Sequence, residues 1–119
     1  MNTKDIPFFA QLKPDSFEWP VKVPVPVDGK YAFVEFTGVF RYLDDAGESE
    51  MLDPKHKRTD KQILAEVLLA VKGIKFADGT EVPSTPELVA SIIATDRVAP
   101  CAVGIYLGAR RGLAAEKNS

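Results

Sequence analysis

Residues 21–42 read VKVPVPVDGKYAFVEFTGVFRY. Valine falls on every odd position from Val21 to Val27, with Lys22, Pro24 and Pro26 between, which is the period-two pattern of a strand with one buried face. Proline has no N–H to give a ladder, so this strand is expected at a sheet edge. Asp28-Gly29 supplies the positive φ angles of a tight hairpin turn. On the return, Ala32, Val34, Phe36, Phe40 and Tyr42 alternate with the wetter Glu35, Thr37 and Arg41. An antiparallel hairpin over 21–42 follows, with Gly38 marking a bulge.

Past the hairpin the periodicity changes. Asp44 to Glu50 is acidic and Lys55 to Arg58 basic, a pair of runs read as one solvated loop. Thr59-Asp60-Lys61-Gln62 has capping-box spacing, and Ile63, Leu64, Val67, Leu68 and Val71 recur at helical intervals, which predicts a helix from Asp60 to about Ala70. Ile74 to Val82, around Asp78-Gly79, reads as a small hairpin or a third strand. Ser84-Thr85-Pro86-Glu87 is read as a second capping box, ahead of a helix that buries Leu88, Val89, Ile92 and Ile93 and ends near Thr95. A last helix runs from about Val98 to about Ala115, with Val98, Cys101, Ala102, Ile105, Ala109 and Leu113 on one side. Strands before helices argue α+β: an N-terminal antiparallel hairpin or small sheet, then about three helices. The division is a flexible arm over 1–15, one domain over 16–115 and a frayed tail over 116–119.

At 119 residues, with 45% apolar and 27% charged side chains, the chain can bury a core. Fifteen basic against seventeen acidic residues leave a net charge of -2, so nucleic acid is not expected as a partner. One cysteine and one histidine provide neither a disulfide nor a closed zinc site, and a reducing cytoplasm suits such a chain. Residues 1–10 lack the apolar core of a secretion signal. Val98 to Ala109, interrupted by Pro100, Gly104 and Gly108, falls short of the ~20 residues that span a bilayer. No membrane is expected.

Catalytic candidates are few. His56 sits in a charged loop far along the chain from Cys101, which lies among apolar neighbours and reads as a small buried hydrophobe. Asp44, Asp45, Glu48 and Glu50 lack calcium-loop spacing and read as solvated. The chain is therefore expected to be no enzyme and to hold no metal or cofactor. Gly104, Gly108 and Gly112 are four apart on the last helix; close packing within the molecule is the plainer reading and a protein contact the second. Trp19 is either a core plug or an exposed anchor. As partner-binding residues the sequence offers Val21, Val23 and Val25 of the edge strand and Gly104, Tyr106 and Gly108 of the last helix.

Taken together, Phe17 before a valine-proline strand, Asp28-Gly29, Phe40-Arg41-Tyr42-Leu43, Asp60, Ile63-Leu64-Ala65-Glu66-Val67, Lys72-Gly73-Ile74, Asp78-Gly79, Val82-Pro83-Ser84, Glu87-Leu88 and the closing Glu116-Lys117-Asn118 resemble the phage tail assembly chaperone family. The likeness runs from about Phe17 to the end, in short pieces. Val71 stands where such proteins often carry tryptophan, and Ser84-Thr85 where an aromatic-serine pair is commoner. The resemblance implies a protein that works in the bacterial cytoplasm, binds the tape measure protein and helps tail tube protein assemble around it, and is absent from the finished tail. Self-association is a further expectation, and a minor structural component retained in the virion is the alternative. It also implies a longer frameshifted product, for which Glu116-Lys117-Asn118 permits slippery codons.

Overall fold

The computed structural model describes residues 15–112. β1 (Ser16–Val27) and β2 (Lys30–Arg41) form the expected antiparallel hairpin, with Val23 opposite Val34 and Val21 opposite Phe36. Asp28 and Gly29 both take positive φ (46° and 78°), the turn whose twist matches that of the strands. β1 lies at the sheet edge, as its prolines require, in a three-stranded sheet of order β1-β2-β3.

The acidic stretch is a correction. Asp44 caps a helix, α1 (Asp45–Met51), accepting a hydrogen bond from the Gly47 amide at 2.7 Å, and Glu48 and Met51 are buried one turn apart. Charge alone suggested a solvated loop, whereas the cap residue and the acidic first turn are what a helix N-terminus favours. A short 3-10 turn (Pro54–His56) leads to α2 (Asp60–Val67), whose capping box between Thr59 and Gln62 is present as read.

α2 stops three residues early. Leu68 takes extended geometry, and Leu68–Lys72 is β3, paired antiparallel with Thr37–Phe40 of β2. Leu68 and Val71 are buried, as a helix would have had them. A short apolar run satisfies both periods, and pairing with an open flank of β2 decides for strand. Ile74–Val82 is a small hairpin, bridged at Lys75 and Glu81.

α3 (Pro86–Ala94) is capped by Thr85 instead of Ser84, whose hydroxyl accepts from the Val71 amide on β3. α4 (Val98–Arg110) carries Pro100 in its first turn and buries Val98, Ala99, Ala102, Val103 and Tyr106. That face is rotated from the expected one: Cys101, Ile105 and Ala109 are half-buried at its flank. Leu113, the helix end near Ala115, and the terminal segments 1–14 and 116–119 lie outside the described residues. The architecture of the described residues is α+β, with four α-helices where about three were expected.

The helices cover one face of the sheet. Val21, Val23, Phe36 and Phe40 meet Leu64, Val67, Ala102 and Tyr106 there. Phe40 packs on Tyr106 with ring centroids 5.3 Å apart, and Phe17 lies 5.8 Å from each. The Tyr106 hydroxyl donates to the Arg41 carbonyl at 2.8 Å, so this wholly buried ring leaves no polar atom unpaired. Trp19 is half-buried against the core, the plug reading of the two.

Gly38 has a packing role. The register shift in the β2–β3 ladder falls between Val39 and Phe40, beside the expected bulge position. A Cβ on Gly38 would lie 2.5 Å from the Phe40 ring and 3.1 Å from Leu68. Gly38→Ala is thus expected to destabilise by about 1–3 kcal/mol through overpacking. Chemical denaturation is the measurement, and an unchanged midpoint would show that the ring moves aside freely.

Candidate partner-binding surface

Beyond Val23 and Val34 the hairpin leaves the helices behind. Val21, Val23, Phe36 and Phe40 are at most 5% exposed, whereas Val27 is 49%, Tyr31 68%, Phe33 49% and Val34 38% exposed. Alternation assigns Val25, Val27, Ala32 and Val34 to the face continuous with the core and Pro24, Pro26, Tyr31 and Phe33 to the opposite face. The outer half of the ribbon is therefore apolar on both sides. Lys22 lies over the Phe33 ring at 4.2 Å and pairs with exposed Glu35 at 3.7 Å, covering part of that ring, while Tyr31 stays 68% exposed among the described residues.

A second apolar feature is an open cleft of about 420 Å³ between α2, β3 and α3, lined by Ala65, Leu69, Pro86, Val89, Ala90 and Ile93. No residue of α3 is fully buried, although the helix is strongly apolar, and Leu69 is 46% exposed.

The residues singled out from sequence separate into two groups. Val21, Val23 and Tyr106 are core residues, at most 1% exposed, and have no surface to offer a partner: the same alternation that marked the strand put them under the helices. Val25 is half-buried at the root of the apolar arm. Gly104 is exposed and Gly108 half-buried, and a Cβ on either would meet nothing within 4 Å, so among the described residues no element packs closely on them. Gly112 lies past α4, with φ 76°. The exposed ends of the arm, Val27, Tyr31 and Phe33, were missed. Their signal was an apolar residue on both faces of the ribbon near the turn, where a solvated hairpin end would alternate.

The polar groups are engaged locally. His56 Nε2 lies 2.7 Å from Glu50 Oε1, and Glu50, Asp53 and His56 bring one ligand atom each within 4.8 Å of the others. Asp53 already accepts from the Lys55 amide and faces Lys55 Nζ at 3.5 Å, so the exposed group has its own protein partners. Cys101 Sγ is 3.8 Å from the Lys22 carbonyl. At the other end, Glu48 receives Arg110 Nε at 2.8 Å and Arg111 Nη2 at 2.9 Å. Arg110 also donates to the Leu43 carbonyl and to Asp45. Hydrogen bonding from Arg111, aided by Arg110, holds the Glu48 carboxyl below the usual glutamate range against the opposing effect of burial. The cluster ties α4 to α1.

No single helix among the described residues is long and apolar enough to cross a membrane. No protein-family model, curated protein or solved structure was found to match this chain.

Proposed function

We propose that this chain is a non-catalytic assembly factor of the phage tail assembly chaperone type, which holds apolar segments of the tape measure protein while tail tube protein assembles. The observation that supports the reading is the two-faced apolar arm, because a ribbon apolar on both sides gains from being enclosed by a partner. The sequence resemblance supplies the identity of that partner. A long helical tape measure protein carries apolar stripes that need shielding before assembly, and the arm and the α2-β3-α3 cleft are the surfaces suited to them.

Co-expression with the tape measure protein of the same phage, followed by sizing of the purified complex, tests this. A complex is expected with the unchanged chain, and loss of it with the double variant Val27→Ser, Tyr31→Ser, which removes apolar surface that the fold does not use. No complex with the unchanged chain would defeat the reading. Recovery of the protein in washed, purified particles at a fixed ratio to tube protein would favour a structural component instead.

A further inference from the structure

Pro24 and Pro26 have no N–H, so they occupy β1 positions whose backbone groups face away from β2. The bonded pairs of the hairpin are then Val23–Val34, Val25–Ala32 and Val27–Lys30. On β2 the alternate residues Tyr31, Phe33 and Glu35 direct their N–H and C=O to the opposite flank. β3 occupies that flank from Thr37, opposite Lys72, to Phe40, and at Gly73 (φ 80°) the chain turns off. Among the described residues, no strand covers β2 at the level of Tyr31 to Glu35. The segment Tyr31-Ala32-Phe33-Val34 is rich in strand-forming residues and has no proline. The sheet's two flanks are thus unequal, one closed by Pro20, Pro24 and Pro26 and the other open over a few residues.

We infer that the open flank of β2 pairs antiparallel with the same flank of a second copy, giving a four-stranded ribbon of order β1-β2-β2-β1 about a two-fold axis at Ala32. Three observations favour a second copy. The pairing is self-complementary: outward-facing Tyr31 meets outward-facing Phe33 of the copy, twice, as an aromatic cross-strand pair. The small Ala32 falls at the axis, where the backbones come nearest. The ribbon then ends on both sides in a proline-bearing β1, so assembly closes at two. This pairing uses the backbone edge and the flanks of Tyr31 and Phe33, and leaves the opposite face of the arm, with Val25, Val27 and Val34, open.

Sedimentation equilibrium of the full chain tests it, with a concentration-dependent monomer-dimer equilibrium expected. Phe33→Pro removes an N–H that the hairpin does not use and is expected to weaken dimerisation ~10-fold or more with an unchanged circular dichroism spectrum. Ala32→Glu, at an exposed position, sets two carboxylates together at the axis and is expected to do the same. Hydrogen exchange should show the Tyr31 and Phe33 amides protected at dimer concentrations and open on dilution. A monomer up to millimolar concentration overturns the inference, as does undiminished dimerisation of both variants. Protection of those amides solely on adding a tape measure fragment would also overturn it, assigning the edge to a foreign strand.

Discussion

Val23→Asp is expected to unfold the protein at room temperature, while Val25→Asp and Lys22→Asp remain folded. Val23 is 1% exposed in a core cluster whose buried members are Val, Phe, Met, Ile, Leu, Ala and Tyr side chains. Burying an unpaired acid there costs about 5 kcal/mol, comparable to the whole stability of a small domain. Val25 has the same parity but lies where the arm leaves the helices, so its carboxylate reaches water at a cost of about 1 kcal/mol. Lys22 is a surface residue whose exposed pair with Glu35 contributes less than about 1 kcal/mol, and reversing its charge sets it against Glu35 at a cost of the same order. Thermal melts followed by circular dichroism separate the three. Equal behaviour of Val23→Asp and Val25→Asp would mean that the helices shelter the whole hairpin, and the arm as a free surface would go with it.

That contrast marks what the sequence could and could not say. Alternation over 21–42 carries parity, and parity was enough for the hairpin, its turn and the edge position of β1. It carries no information on how far along a strand the helices reach, so it offers Val21 and Val23 as partner-binding residues on the same terms as Val25. The Thr59 capping box was legible because it is local chemistry, whereas the end of α2 was not, because the choice between one more helical turn and β3 depends on an open flank of β2 some thirty residues earlier. The buried role of Glu48 had a local trace in Asp44 and the acidic first turn, but its partners, Arg110 and Arg111, lie more than sixty residues away. The open flank of β2 needed the same long-range knowledge, namely that β3 ends at the level of Thr37.

Glu48→Ala is expected to cost about 3 kcal/mol, and Asp45→Asn less than about 1 kcal/mol, although both carboxylates bond the same guanidinium at 2.8 Å. The difference is solvent. The side chain of Asp45 is 99% exposed, so water replaces it, whereas the Glu48 side chain is 11% and that of Arg110 7% exposed. Without Glu48, Arg110 keeps the Leu43 carbonyl and Asp45 but loses its buried counter-charge, and Arg111 loses both of its bonds to that carboxylate. The acid limb should show the same interaction. Because the folded-state pKa of Glu48 is lowered, the unfolded chain takes up its proton first; the stabilisation is whole above the unfolded-state value and drains away as pH falls through the lowered one. The unchanged protein should therefore lose stability as pH drops below about 4.5, and Glu48→Gln should be less stable at neutral pH yet decline less steeply over that acid range. Denaturant midpoints measured from neutral pH downward for the two proteins give the comparison. Parallel curves, or a cost for Asp45→Asn as large as that for Glu48→Ala, would show that the α1–α4 contact is held by packing around Met51 and Tyr106 and that the ion cluster adds little.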